Sequence, residues 1–568
     1  VTALGARLLR AWLLAPLKDV AAIRARQAAV GELVEDRARA AEIGERLSAV
    51  ADVERLLTRV VTNRANARDL VALRRSLEVV PSLRAALDDA NALRLRGVLD
   101  RLDPLDGLTD LLSRALVDEP PATLAEGGVI RDGHSADLDE LRAIHRDGKS
   151  FLTRYQTEEI ERTGIANLKV GFNRVFGFYL EVTNSFRDKV PPEYVRKQTL
   201  KNAERYITPR LKEYETKVLN AEERALALEA ELFQAVREAV VAELDGLKRT
   251  AGALGELDVL FALADGAALH GHVRPEVDDG TNLEIVEGRH PVLSATMGAS
   301  TFVPNDCRLD GERRRLAIVT GPNMAGKSTY IRQVALLQIL AQVGAFVPAK
   351  RATLGVCDRV FARVGASDDL ARGHSTFMVE MTETANILNN ATDRSLVVLD
   401  EIGRGTSTFD GLAIARAISE HLLEKVRCRG LFATHYHQLI ELTESFPAAC
   451  NLNVAVREWG EEIVFLHQIV EGGSDRSYGI HVARLAGVPK PVLERAQAIL
   501  KDLEANHPDL RPAASESANG RPAPARSQGS LFDQLEKRMA EDLKRVDLDR
   551  ITPIDALTKL REWKERLS

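Results

Sequence analysis

The spacing of apolar positions changes character several times along this chain, and each change predicts a different kind of element. From Leu4 to about Arg162 the pattern is helical almost throughout. Leu70, Leu73, Leu77 and Val80 share one face, Leu83 and Leu87 follow, and Pro81 is placed to break or bend the run. Arg, Asp and Glu fill the other faces, so these stripes predict the core of a helical bundle. After Gly164 the period shortens to two. Leu168, Val170 and Phe172 alternate with other residues, then Phe176, Phe178, Leu180 and Val182 do so again, on either side of Asn173-Arg174-Val175. That predicts a β-hairpin set among helices. Helical spacing returns from about Leu211, with Leu211, Tyr214, Val218, Ala221, Ala225, Leu228 and Leu232 on one stripe. A helix out, a small β module and a helix back make an arm with a tip.

Beyond Gly271 the elements become shorter, and a nucleotide-binding region begins near Leu283. Leu316 to Thr320 is a short β-branched run of buried-strand type, and Thr329 to Val343 has helical spacing that stops at Gly344. Between them, Gly321, Pro322, Asn323, Met324, Ala325, Gly326, Lys327 and Ser328 satisfy the phosphate-loop pattern G-x-x-x-x-G-K-[ST], followed by Thr329. Backbone N–H groups of such a loop, and of the helix N-terminus behind it, cradle phosphate oxygens. Lys327 adds a point charge and the Ser328 hydroxyl can bind Mg²⁺. Ser395 to Leu399 is a second apolar strand, and it ends in Asp400-Glu401. Asp400 is placed to hold Mg²⁺, directly or through water, and Glu401 to orient and deprotonate an attacking water. Leu431 to Thr434 is a third short strand, and His435 after it is placed to sense or polarise a γ-phosphate. Strands alternating with helices predict a mostly parallel sheet with its sites at the strand ends.

Composition refines this picture in three ways. The 568 residues suffice for several domains, and the formal charge of −6 requires any nucleic-acid contact to come from a local patch. Residues 164–217 supply a candidate, with 11 Lys/Arg against 6 Asp/Glu; Arg196, Lys197 and Lys201 are the proposed contacts, and a solvated surface is the competing explanation. Four widely separated cysteines without metal spacing fit a reducing compartment, and no apolar run is long enough to span a membrane. The first residue is Val1, almost at the start of a helical pattern, which reads as a fragment. Residues 506–530, rich in Pro, Ala and Ser, predict a disordered linker ahead of a helical tail at 531–568.

Four stretches together resemble the MutS family of bacterial DNA mismatch-repair ATPases: 321–329, Ser-Thr-Phe-Met-Val-Glu-Met at 375–381, Asp-Glu-Ile-Gly-Arg-Gly-Thr-Ser-Thr at 400–408 and Phe-Ala-Thr-His-Tyr at 432–436. Leu-Lys-Asn-Ala-Glu-Arg-Tyr at 200–206 and Ser-Tyr-Gly-Ile-His-Val-Ala at 477–483 extend the resemblance. It implies core and lever helices at 1–163, a β-rich DNA clamp at 164–211, returning lever helices at 212–283 and an ABC-type ATPase and dimerisation domain at 284–505. The substrate it implies is ATP with Mg²⁺, and the partners are double-stranded DNA, a second copy of the chain and a MutL-like repair factor. Composite sites in the family imply that Ser375, and Asn323 with it, reach the partner's nucleotide. Phe302 and His467 match positions that sandwich adenine. The tail would serve oligomerisation, and Gln528, Leu531 and Phe532 resemble a peptide that docks on the replicative sliding clamp. A cytoplasmic, nucleoid-associated location is implied. The family's mismatch-reading Phe-x-Glu wedge has no counterpart here, so mismatch reading is expected to lie outside this sequence.

Three other readings compete. A second MutS lineage, acting in recombination control, lacks the clamp, which the β module at 164–211 argues against. An ABC-type ATPase of chromosomes or transporters fits less well; the transporter type needs an LSGGQ-like signature where this chain has Gly-His-Ser-Thr-Phe. A scaffold that binds nucleotide without hydrolysis has no need of the carboxylate at Glu401.

Overall fold

The computed structural model describes residues 1–173, 177–298, 301–364, 376–459, 462–473 and 478–506. The predicted linker and tail, with Gln528, Leu531 and Phe532, lie outside the described residues, as does Ser375. The chain is multidomain, helical in one part and α/β in another. Two compact units form, one of Val1–Gly311, Arg332–Val360 and Arg394–Leu396, the other of Glu312–Ile331, Phe361–Asp393 and the chain from Val397 onward.

The first unit is built on a helical core. The stripe read from the sequence is buried as expected: Leu70, Leu73, Leu77, Val80, Leu83 and Leu87 all lie in one apolar cluster. Pro81 divides it. Helix Ala67–Glu78 ends just before helix Val80–Leu87, where the proline stands in the first turn and needs no N–H partner. Helix Leu244–His270 is buried around most of its circumference between Gly246 and Leu260, and its small residues let neighbours come close. Gly255 packs on Leu4, and a Cβ at Gly44 would strike the Phe261 ring.

Two long helices of this unit, Ala136–Thr163 and Pro209–Ala242, flank a four-stranded antiparallel sheet. Its strands are β1 (Lys169–Asn173), β2 (Gly177–Thr183), β3 (Val195–Thr199) and β4 (Ala203–Ile207), in the order β1-β2-β4-β3. The hairpin expected from alternation is β1 with β2, registered Val170 to Leu180 and Phe172 to Phe178. Tyr155 of the outgoing helix and Leu211 of the returning one join Leu168, Leu180, Val182 and Tyr206 in a local core. Thr208 caps the returning helix by accepting from Leu211 N–H (3.1 Å), and its hydroxyl also meets the Tyr155 hydroxyl at 2.5 Å.

On the returning helix the interior face is wider than the expected stripe, whose Ala225, Leu228 and Leu232 still pack against the core. Val218 and Ala221 are buried, but Ala225, Leu228 and Leu232 are only half-buried and Glu229, Phe233, Val236 and Val240 take the interior. Glu229 has a physical reason to be there. Its carboxylate accepts from the backbone N–H groups of Gly128 (3.0 Å), Val129 (2.5 Å) and Ile130 (2.8 Å), and pairs with Arg142 at 2.9 Å. A buried charge is tolerated when its hydrogen bonds are complete.

The remaining strands of the first unit are β5 (Glu276–Asp278), β6 (Leu283–Gly288), β7 (Asn305–Leu309) and β9 (Arg351–Gly355), with order β5-β9-β6-β7. The second unit centres on a six-stranded sheet of β8 (Leu316–Thr320), β10 (Val360–Arg363), β11 (Leu396–Asp400), β12 (Arg429–Ala433), β13 (Ala449–Trp459) and β14 (Glu462–Glu471). The order is β10-β11-β12-β8-β13-β14. β8 lies parallel to both β12 and β13, while β14 closes that edge antiparallel to β13. Every residue of β8, β11 and β12 is buried, as continuous apolar runs in a covered sheet should be.

Candidate nucleotide site

The site is assembled at the ends of three adjacent strands of the second unit. Glu401 N–H donates to Ala433 O (2.8 Å) and Thr434 N–H to Val319 O (3.0 Å), so the exits of β11, β12 and β8 lie side by side. After β8 the chain turns through Gly321 and Gly326, whose φ values of +122° and +108° suit glycine. Helix Lys327–Val343 follows and stops at Gly344, as its spacing predicts. Met324 stands at the loop's tip, 81% exposed, whereas Ala325 beneath it is fully buried.

Lys327 is only 4% exposed, and its ammonium donates to the carbonyls of Gly321 (2.6 Å) and Pro322 (3.0 Å). Burial lowers its pKa below the usual lysine value, against the opposing pull of Glu401 at 3.9 Å. Ser328 Oγ donates to Asp400 Oδ1 at 2.9 Å, bringing together the two oxygens expected to face Mg²⁺. Glu401 has φ +56° and forms an ion pair with Arg404 at 2.6 Å. Asn323 bridges the same pair when its amide is turned end for end, which puts its nitrogen 3.2 Å from Glu401 Oε1 and its oxygen 3.2 Å from Arg404. The sequence offers only one signal for Arg404, a cation three residues after the proposed base.

His435 follows β12, with its Nδ1 buried and without a hydrogen-bond partner. Burial, reinforced by Arg404, Lys327 and His437, lowers its pKa to about 4. It is therefore a neutral imidazole at ordinary pH. His467 projects from β14, and its Nδ1 lies 2.9 Å from Ala325 O in the loop. Phe302 is half-buried in a turn of the first unit, where its N–H reaches Gly298 O at 3.4 Å.

In the β module, Lys197 and Lys201 are exposed. Arg196 is also exposed but pairs with Glu204 at 3.2 Å, as Arg187 does at 3.5 Å, and Arg205 pairs with Glu181 at 2.9 Å. Part of the local basic excess is thus neutralised within the module.

A glycine loop between a buried strand and a helix, with an acidic pair and a histidine at the neighbouring strand ends, defines the second unit as a P-loop nucleotide-binding domain. The chain belongs to the MutS family: MutS domain III matches residues 1–264 and MutS domain V matches residues 317–504. It is 53% identical over 563 residues to the DNA mismatch repair protein MutS of Symbiobacterium thermophilum, covering 99% of this chain and 64% of that protein. The protein of the same name from Anaeromyxobacter dehalogenans is 52% identical over 584 residues, covering 100% and 66%. That from Rhodopirellula baltica is 50% identical over 572 residues, covering 100% and 64%. This chain therefore spans 64–66% of the length of these curated relatives. Among the described residues no helix is long and apolar enough to cross a membrane.

Proposed function

We propose that this chain hydrolyses ATP at the P-loop and grips duplex DNA through the β module, coupling the two in DNA mismatch repair. The observation that carries the reading is the meeting of Lys327, Ser328, Asp400 and Glu401 at adjacent strand ends, with Ser328 and Asp400 2.9 Å apart. Lys327 and the loop N–H groups bind the phosphates. Glu401 takes the proton of the attacking water, and Arg404 and Asn323 fix its carboxylate in place. His435 meets the γ-phosphate region as a neutral hydrogen-bonding group.

Ser328 and Asp400 fit Mg²⁺, which prefers hard oxygens and keeps several positions for phosphate and water. The ion when bound neutralises phosphate charge. Among the described residues no group of three or more His, Cys, Asp or Glu forms a metal site, so these two oxygens would hold the ion together with phosphate and water.

The finer assignments belong to the same reading. The sheet and helices at 284–505 would form an ABC-type ATPase and dimerisation domain, and 164–211 the DNA clamp between lever helices at 1–163 and 212–283. Ser375 would act on the nucleotide of a second copy, and Phe302 and His467 would hold adenine. A MutL-like factor and, through Gln528, Leu531 and Phe532, a sliding clamp would be partners at the nucleoid. The test of the coupling is ATP turnover measured with and without duplex DNA. Stimulation that disappears on replacing Lys197 and Lys201 supports the reading; a rate indifferent to DNA contradicts it.

A further inference from the structure

The turn that carries Glu401 is held at one residue, Gly403, by side chains from two other elements. Gly403 N–H donates to a carboxylate oxygen of Glu380, and its carbonyl accepts from the Tyr436 hydroxyl at 2.9 Å. Both bonds are buried. Glu380 lies on helix Thr376–Asn390, on the face it shares with Thr384 and Ile387, and is 5% exposed. Its charge is met by the equally buried Arg363 of β10 at 3.6 Å, and Arg363 in turn pairs with Glu383 at 3.2 Å. Tyr436 is the residue after His435. Gly403 itself has φ +94°, and a Cβ there would lie 2.8 Å from Gly411 Cα. Helix Thr408–His421 therefore closes on the turn from a third side. A buried peptide must have its N–H and carbonyl paired, and here both partners are side chains fixed on other elements. Fixing both the N–H and the carbonyl of one peptide neighbourhood sets the direction in which the chain leaves Glu401, two residues earlier.

We propose that Glu380 and Tyr436 are positioning residues for hydrolysis, acting through Gly403 to aim the Glu401 carboxylate. The inference rests on the reading of Glu401 as the base. Glu380 also ties that aim to the helix directly following residues 365–375, and Tyr436 ties it to the strand end bearing His435. A misplacement of about 1 Å at a reacting group costs up to roughly 10²-fold in rate, so losses of about 10- to 100-fold are expected from loosening the turn.

The experiment is a double-mutant cycle in single-turnover ATP hydrolysis, with nucleotide affinity measured separately. Tyr436→Phe removes only the hydroxyl, and should slow hydrolysis about 10-fold with ATP affinity unchanged. In a Glu401→Ala background the same substitution should have no further effect, because there is no base left to aim. Glu380→Ala should also slow hydrolysis, while Glu380→Gln, whose amide oxygen still accepts from Gly403, should restore most of the rate. If Tyr436→Phe leaves the rate unchanged, or slows the Glu401→Ala protein by the same factor, the positioning role is overturned while the base assignment stands. Glu380→Gln as slow as Glu380→Ala overturns the role of Glu380, leaving a structural charge partner for Arg363. If Glu401→Ala alone hydrolyses at the parental rate, the base reading fails and this inference fails with it.

Discussion

His435 gives a prediction that separates two kinds of γ-phosphate contact. A protonated histidine would act as a cation, a neutral one only through a hydrogen bond. Burial and the nearby cations Arg404 and Lys327 lower its pKa to about 4, so the charged form is disfavoured. At pH 6 a group with that pKa is roughly 1% protonated, whereas an ordinary histidine near 6.5 would be roughly 75% protonated. The perturbation is His435→Ala, and the measured quantity is the ratio of parental to variant single-turnover rates from pH 6 to 8.5. Titration of groups common to both proteins cancels in that ratio. Loss of one neutral hydrogen bond costs about 1 kcal/mol, or about fivefold in rate. The ratio should therefore stay near fivefold across the range. If His435 acted as an ordinary cation, its protonated fraction would fall by roughly 75-fold between pH 6 and pH 8.5, and the ratio would fall toward one. A ratio that rises steeply below pH 7 would refute the neutral assignment and the burial argument behind it.

Three further outcomes follow from other parts of the molecule. Glu229→Ala leaves the buried N–H groups of Val129 and Ile130 and the part-buried N–H of Gly128 without their acceptor, and Arg142 with Asp132 alone, which should cost about 4 kcal/mol. Calorimetry should show the first unit's melting point lowered by about 6 °C, and a shift below about 2 °C would contradict this role of Glu229. Replacing both Lys197 and Lys201 with Ala should shallow the log–log salt slope of duplex binding by about 2, with Arg196→Ala contributing less because Glu204 already engages it; equal effects from all three would contradict that ranking. A Ser375→Ala chain mixed with a Lys327→Ala chain should hydrolyse ATP faster than either alone if Ser375 serves the partner's nucleotide, and no gain on mixing would argue for independent sites.

What the sequence disclosed, and what it hid, follows from the range of the interactions. Residues 316–343 were legible because strand, glycine turn, lysine and helix are contiguous and each has a local physical signature. The hairpin at 169–183 was legible through its period of two. β3 was not, since Val-Arg-Lys-Gln-Thr is an edge strand with almost nothing to bury and is held by pairing to β4. β13 and β14 carry alternating Leu452, Val454 and Val456, and Ile463 and Phe465, a period of two that is short and interrupted by a register shift after Val454. The extra width of the buried face on Pro209–Ala242 has a different cause. Glu229 looks like a solvent residue until the backbone amides of residues 128–130 are brought to it from about 100 positions away. Likewise Glu380, Gly403 and Tyr436 lie in stretches noted for other reasons, and only folding shows that they meet.

Single-turnover hydrolysis by Glu401→Ala is the sharpest check on Glu401 as the proposed base at this P-loop. With ATP binding preserved, hydrolysis should slow by roughly 10²- to 10⁴-fold, while Lys327→Ala weakens nucleotide binding itself. Hydrolysis by Glu401→Ala at the parental rate would contradict the assignment of the base.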